Sequence, residues 1–151
     1  MTKTFEKITD LQALVGQELG VSDWITIDQE RINLFAEATG DRQWIHLDAA
    51  RAAEGPFGTT IAHGFLTLSL LPEMTASAFS VKDTRMGVNY GLNKVRFPSP
   101  VPVNSKVRGR FKLVAYEPLE GGAQMTVEAT MEREGGTKPV CVAESLSRRY
   151  W

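Results

Sequence analysis

The sequence is poor in the residues that staple a fold or gather a metal. It has 151 residues and a single cysteine, Cys141, so no intramolecular disulfide can form and no cysteine cluster can hold zinc. Its neighbours Val140 and Val142 mark it as buried strand filling, with a reactive thiol as the alternative. Histidine is nearly as scarce: His46 and His63 are the two in the chain, and no short-spaced pair of the metal-ligating kind occurs. No apolar run approaches the roughly 18 residues of a membrane helix, and Met1-Thr2-Lys3-Thr4-Phe5-Glu6-Lys7 carries no signal-peptide core. A cytoplasmic protein without a membrane span is the expectation. Seventeen Lys and Arg against 18 Asp and Glu leave a net charge of −1, which removes the electrostatic case for nucleic acid or an anionic membrane as partner. Gly-x-Gly-x-x-Gly, phosphate-loop and Gly-x-Ser-x-Gly patterns are missing, and Ser69 lies in an apolar stretch with no base nearby. Nucleotide binding and serine catalysis therefore have no support. Without a Pro/Gly/Ser linker, an internal repeat or a low-complexity tract, residues 1–151 read as one domain, large enough to bury about two thirds of its unfolded surface.

What is present falls into two halves. In the first, Ile8, Leu11, Leu14 and Val15 recur at helical spacing before Gly16. Val21, Trp24, Ile25, Thr26 and Ile27 suggest a strand from Glu18 to Ile27, with Ser22-Asp23 as the point where it can break. Asp28 is placed to cap a helix whose inner stripe is Ile32, Phe35 and Ala36 and which ends near Thr39-Gly40. Asp48 can cap a second short helix through Ala53, broken by Gly55-Pro56-Phe57-Gly58. Phe65 to Leu71 is apolar on nearly every side, as a buried helix is, and the pattern resumes past Pro72 at Met74, Ala76 and Phe79, giving one helix disturbed at the proline. From about Met86 period-two patterns take over. Strands are expected at Met86–Val95, Ser105–Tyr116, Ala123–Glu134 and Lys138–Tyr150, with Gly121-Gly122 and Gly135-Gly136 in the turns and Pro98, Pro100 and Pro102 between strands. The fold class is α+β, an antiparallel sheet of roughly five strands wrapped on one buried helix. Such a sheet covers its helix from one side and leaves edges to be paired, for which a homodimer is the economical answer.

Three groups of residues could carry chemistry. Asp41 and His46 set a carboxylate and an imidazole between two helical patterns, where one water could touch both; the spacing alone equally describes a turn aspartate and a packed imidazole. His63 and Gly64 open the buried helix, whose first amides lack internal partners. Gly64, without a Cβ, would let a substrate oxygen approach its N–H, although a glycine there also serves close packing, and His63 can simply hydrogen-bond within the fold. Asp41, His46 and His63 could supply metal ligands by type, but nothing in their spacing asks for a metal, and none is expected. The third group is Asn89-Tyr90-Gly91-Leu92-Asn93-Lys94-Val95-Arg96-Phe97. Lys94 and Arg96 share a face of a regular strand and could meet a phosphate, or could belong to a solvated face.

Taken together these motifs resemble the MaoC-like dehydratases, the (R)-specific enoyl-CoA hydratase group of hot-dog-fold proteins, and within it the nodulation protein N-like branch. Phe35-Ala36-Glu37-Ala38-Thr39-Gly40-Asp41 with His46 resembles the hydratase motif, Ala62-His63-Gly64-Phe65 the start of the central helix, and Asn89 to Phe97 with Pro98 and Val101 a strand typical of that branch. The resemblance spans residues about 30 to 103. One departure stands out: members usually carry Asn-Pro where this chain has Gln43-Trp44, which keeps an amide and drops the proline restraint. The resemblance implies a hot-dog fold and reversible hydration of a trans-2-enoyl thioester to the (R)-3-hydroxyacyl thioester. Asp41 would act as base, His46 would orient the water and help return a proton to C2, and the Gly64 amide would hold the thioester oxygen. His63, Asn93, Lys94 and Arg96 would contact substrate. No cofactor is implied beyond the coenzyme A of an acyl-thioester substrate. A hot-dog acyl-CoA thioesterase and a non-catalytic acyl-thioester binding protein are the alternatives.

Overall fold

The computed structural model describes residues 2–151. Strand β1 (Lys3–Phe5) leads into a 3-10 helix, Ile8–Leu14, followed by β2 (Glu18–Val21) and β3 (Ile25–Ile27). Helices α1 (Gln29–Thr39), α2 (Trp44–Leu47), α3 (Ala49–Ala53), α4 (Gly64–Ser69) and α5 (Leu71–Ala78) come next. The chain ends in β4 (Phe79–Val81), β5 (Met86–Arg96), β6 (Ser105–Leu119), β7 (Gly122–Arg133) and β8 (Cys141–Tyr150).

The large sheet runs in the order β2-β6-β7-β8-β5, with β3 also pairing β6, so it has six strands where roughly five were expected. All its pairings are antiparallel. A separate parallel pair, β1 with β4, was not visible in the sequence. The inner face carries alternate residues of β6 and β7, among them Phe111, Leu113, Met125, Val127, Ala129 and Met131, and closes on Leu66, Leu70 and Met74 of the central helical segment. An antiparallel sheet wrapped on a central helix is the hot-dog arrangement, and the α+β expectation holds. Cys141 is fully buried in this core, and burial pushes its thiol pKa up to about 11, which suits the inert role.

Local rules set most element ends. Asp28 Oδ1 accepts from Arg31 N at 2.9 Å and Asp48 Oδ1 from Arg51 N at 3.0 Å, the two caps expected. Gly40 closes α1 in the left-handed conformation at φ 84°, its N–H bonded to Ala36 O at 2.8 Å.

Several boundaries differ from expectation. The first helix is of 3-10 type. The strand expected from Glu18 to Ile27 is two strands interrupted after Val21, because Ser22 turns aside to exchange hydrogen bonds with Gly109. The single central helix is two, α4 and α5, meeting at Leu70. Pro72 sits in the first turn of α5, where its missing N–H costs no helical bond, so the break comes two residues before it. Phe79 leaves the helix altogether to pair with Lys3. Strand β8 begins at Cys141, after Ser99 has bonded the carbonyl of Pro139 at 2.8 Å.

Strand β5 forms the edge. It is 11 residues long, and all of it but Val95 is exposed. Met86, Val88 and Tyr90 are between 40% and 56% exposed, an apolar strip with an unpaired outer edge, while the register shift after Asn89 turns Leu92 to the inner face opposite Ser145.

Candidate active site

Three segments converge at the start of α4. The first is the exit of α1, where the left-handed Gly40 turns the chain so that Asp41 leaves the helix; Asp41 Oδ1 accepts from Gln43 N at 3.3 Å, a short turn that holds the carboxylate. The second is α2. The stretch around His46 was expected to be a loop, but Trp44–Leu47 forms a single helical turn, with Asp48 N bonded to Trp44 O at 3.0 Å. The third is Thr60–Ala62, an extended run held by Ile61 N on Ile45 O at 3.0 Å, Ala62 N on Val101 O at 2.8 Å and Val103 N on Thr60 O at 2.9 Å. The proline-rich segment after β5 therefore acts as a strut under His63 and Gly64.

The two histidines are buried and stacked, with ring centroids 3.8 Å apart and planes 23° from parallel. His46 Nδ1 donates to the carbonyl of Ile61 at 2.7 Å, which leaves Nε2 as its free nitrogen. His63 Nε2 donates to the main-chain carbonyl of Asp41 at 2.9 Å, tying the aspartate's backbone to the head of α4. Its Nδ1 is buried without a partner, and Phe35 covers the ring at a centroid distance of 4.9 Å. His63 thus links two catalytic candidates where a substrate contact was expected. Burial lowers the His46 pKa below 6.5; the bond to Ile61 and the Asp41 charge oppose that shift, and His63 adds to it. The ring is neutral at pH 7.

One donor atom each of Asp41, His46 and His63 lie within 4.8 Å of one another, and Asp41 is the exposed member. A water could touch the carboxylate and an imidazole together. The same three groups are less suited to a metal: nearly parallel stacked rings aim their in-plane lone pairs side by side, not at one tetrahedral centre.

Gly64 is the first residue of α4, and its N–H meets no acceptor among the described residues. A Cβ here would lie 3.1 Å from the ring of Phe97, so the glycine also has a packing reason. Because α4 has only six residues, the expected dipole of a long helix shrinks to the first amides themselves. The substrate-strand candidates divide. Arg96 adjoins Phe97 and is exposed, its guanidinium bonded only to the neighbouring Val95 carbonyl. Lys94 shares its register face and is exposed too, whereas Asn93 bonds Glu144 at 3.1 Å. Neither cation is brought against Asp41 or His46 by a contact in the structure.

Sequence reasoning missed Gln29. Its side chain donates to the carbonyl of His46 at 2.8 Å and accepts from Thr60 Oγ1 at 2.7 Å, clamping the second segment to the third. Periodicity places it only as the first residue of α1. Trp44 occupies the first position of α2, where proline is favoured in helices, and Gln43 before it has ψ 142°, the extended conformation a proline imposes on its predecessor. The tryptophan fits the same backbone and is held by Arg51 at 4.2 Å over its ring and by Gly55 beneath it.

Comparison with known proteins gives consistent results. A family model described as MaoC like domain matches residues 10–135. Over 147 residues the chain is 58% identical to a Mycobacterium tuberculosis protein named 3-hydroxyacyl-thioester dehydratase Z, with 97% of each chain covered. It is 52% identical over 144 residues to Nodulation protein N of Rhizobium leguminosarum bv. viciae, covering 93% of this chain and 89% of that one. Among solved structures, the unliganded R-hydratase PhaJ1 from Pseudomonas aeruginosa superposes with a TM-score of 0.72 at 26% identity, covering 90% of this chain and 81% of the other.

Proposed function

Because the chain belongs to the MaoC-like dehydratase family, we propose that it is an (R)-specific enoyl-CoA hydratase, adding water reversibly to trans-2-enoyl-CoA to give (R)-3-hydroxyacyl-CoA. The observation that carries the reading is the cluster of Asp41, His46 and His63, with donor atoms within 4.8 Å, at the head of a helix whose Gly64 amide is free. Asp41 takes a proton from the water, whose hydroxyl adds to C3, and the electron pair of the double bond moves to the thioester oxygen. The Gly64 N–H stabilises that oxygen; losing such a donor typically costs ~3 kcal/mol of barrier. His46, neutral with Nδ1–H on Ile61, accepts the water's second hydrogen at Nε2 and orients it. The proton held by Asp41 then returns to C2. Lys94 and Arg96, both exposed, are the cations available to coenzyme A phosphates.

The apolar strip on β5 supports a homodimer formed along that edge. No helix among the described residues is long and apolar enough to cross a membrane; a cytoplasmic location remains part of the proposal.

The test is purified protein with crotonyl-CoA. Absorbance of the conjugated thioester should fall, and Asp41→Asn should abolish the change while circular dichroism stays native. Near wild-type turnover by that variant would sink the proposed base. Release of free thiol would identify a thioesterase instead, and binding without turnover a non-catalytic carrier.

A further inference from the structure

A cleft of about 820 Å³ runs between the central helices and the inner face of β5 and β8. Its apolar walls include Leu68, Leu71, Pro72, Phe79, Leu92 and Val127. It begins at Leu68, one helical turn from Gly64, and reaches Phe79, where α5 has ended. The size falls within the range of small-molecule sites.

The far end is not apolar. Arg149 pairs in register with Ala123 and lies on the sheet face that also buries Ala123, Ala143 and Cys141, with Ser147 and Ser145 between, so a cation stands where the rest of β8 places small neutral side chains. Its guanidinium carbon lies 5.1 Å from the Phe79 ring centroid. Among the described residues the side chain makes no ion pair and no hydrogen bond, although six other ion pairs form in the fold. Thr84, at the same end, has a buried Oγ1 with no partner. Opposite Arg149 on β5 stands Gly87, where an added Cβ would meet nothing within 4 Å, so there is open room in front of the cation. Burial pulls the arginine pKa down from its usual value, yet an arginine stays charged, and a partly buried charge without a counter-ion is costly.

We propose that this cleft selects acyl chains carrying a carboxylate at the end remote from the thioester, with Arg149 as the group that binds it. The inference rests on the thioester reading above and adds the substrate class. From Gly64 to Phe79 the helical segment spans on the order of 20 Å, and the arginine reaches back by several ångströms, so the two ends of a bound chain are separated by roughly 12 to 16 extended carbons. A methyl-ended chain of that length would displace water from the guanidinium and leave it unpaired. A carboxylate-ended chain would pair it.

The experiment compares trans-2-dodecenoyl-CoA, trans-2-tetradecenoyl-CoA and their ω-carboxy counterparts, each ratio of kcat/KM being read within one protein so that a general loss of activity cancels. Wild type should favour the ω-carboxy chain at one of these lengths by about tenfold or more, Arg149→Leu should reverse that preference, and Arg149→Lys should restore part of it. Should Arg149→Leu fail to fold, wild type alone still decides: dodecanedioyl-CoA should inhibit at least tenfold more strongly than dodecanoyl-CoA. Free dodecanoate separates the other source of a carboxylate; inhibition by it as strong as by dodecanedioyl-CoA would overturn the assignment to acyl thioesters. Equal ratios in wild type and Arg149→Leu, with crotonyl-CoA still hydrated, overturn the inference and leave the hydratase reading standing. Failure to hydrate even crotonyl-CoA overturns both.

Discussion

Replacing Gly64 by alanine separates the two reasons for a glycine at the head of α4. The added Cβ would sit 3.1 to 3.2 Å from three ring carbons of Phe97, tighter by a few tenths of an ångström than ordinary contact. Phe97 is 41% exposed, so its ring can yield, and the overpacking should cost only about 1 kcal/mol. Alanine is a better helix former than glycine by up to about 1 kcal/mol, which offsets part of this. For a chain of this size the net effect is a fall in Tm of no more than about 4 °C. Chemistry should suffer more, because the methyl group and the displaced ring both crowd the amide proposed to receive the thioester oxygen. Removal of such a donor costs ~10²-fold or more, and hindrance of one that is kept should cost about 10- to 100-fold in kcat. Hydration of crotonyl-CoA followed by absorbance, beside a thermal melt, reads both quantities. Unchanged kcat would refute the oxyanion role. The double variant Gly64→Ala/Phe97→Leu gives a second decision: full recovery of kcat would mean that displacement of the ring was the whole effect, whereas a persistent defect points to the amide.

Gln29→Leu keeps the volume and removes both hydrogen bonds of the clamp, stranding the buried Thr60 hydroxyl and the His46 carbonyl; stability should fall by about 2–3 kcal/mol, or roughly 5–10 °C in Tm, with a matching loss of kcat, and an unchanged melt would remove the clamp from the argument. Trp44→Pro should fold, since the backbone before it is already extended and the position is the first of a helix, and activity should stay within about threefold of wild type; a tenfold loss would give the indole a role with substrate. Because burial holds the folded His46 pKa below 6.5, the unfolded chain binds the proton first as pH falls, so stability is full above that value, declines below it and stops declining once His46 itself is protonated in the fold. Denaturant midpoints from pH 7.5 to 5 should show this slope in wild type and a shallower one in His46→Gln; equal slopes would show that other groups set it.

How far the sequence reveals this molecule depends on how far apart its partners lie. Capping by Asp28 and Asp48 reaches three residues along the chain, so both caps and the left-handed close at Gly40 were legible. Asp41, His46 and His63 were legible as candidates through their residue types, but the bond from His63 to the Asp41 carbonyl joins residues 22 apart, and only a fold can make it. Gln29 was hidden for the same reason, its partners standing 17 and 31 positions away. Phe79 deceived because helical spacing places it on the stripe of Met74, whereas β1, 76 residues upstream, draws it out into a parallel pair. The hardest case is the face of a strand. Met86, Val88 and Tyr90 alternate like any half-buried strand, yet their own chain leaves them open, while Arg149 alternates onto the face that buries Ala123 and Ala143. An alternating pattern states which side chains share a face; what covers that face is decided by the register of its neighbours. That is why Asp41 and His46 could be picked out as candidates from their residue types, whereas a cation in the cleft emerged only once β8 had been aligned against β7.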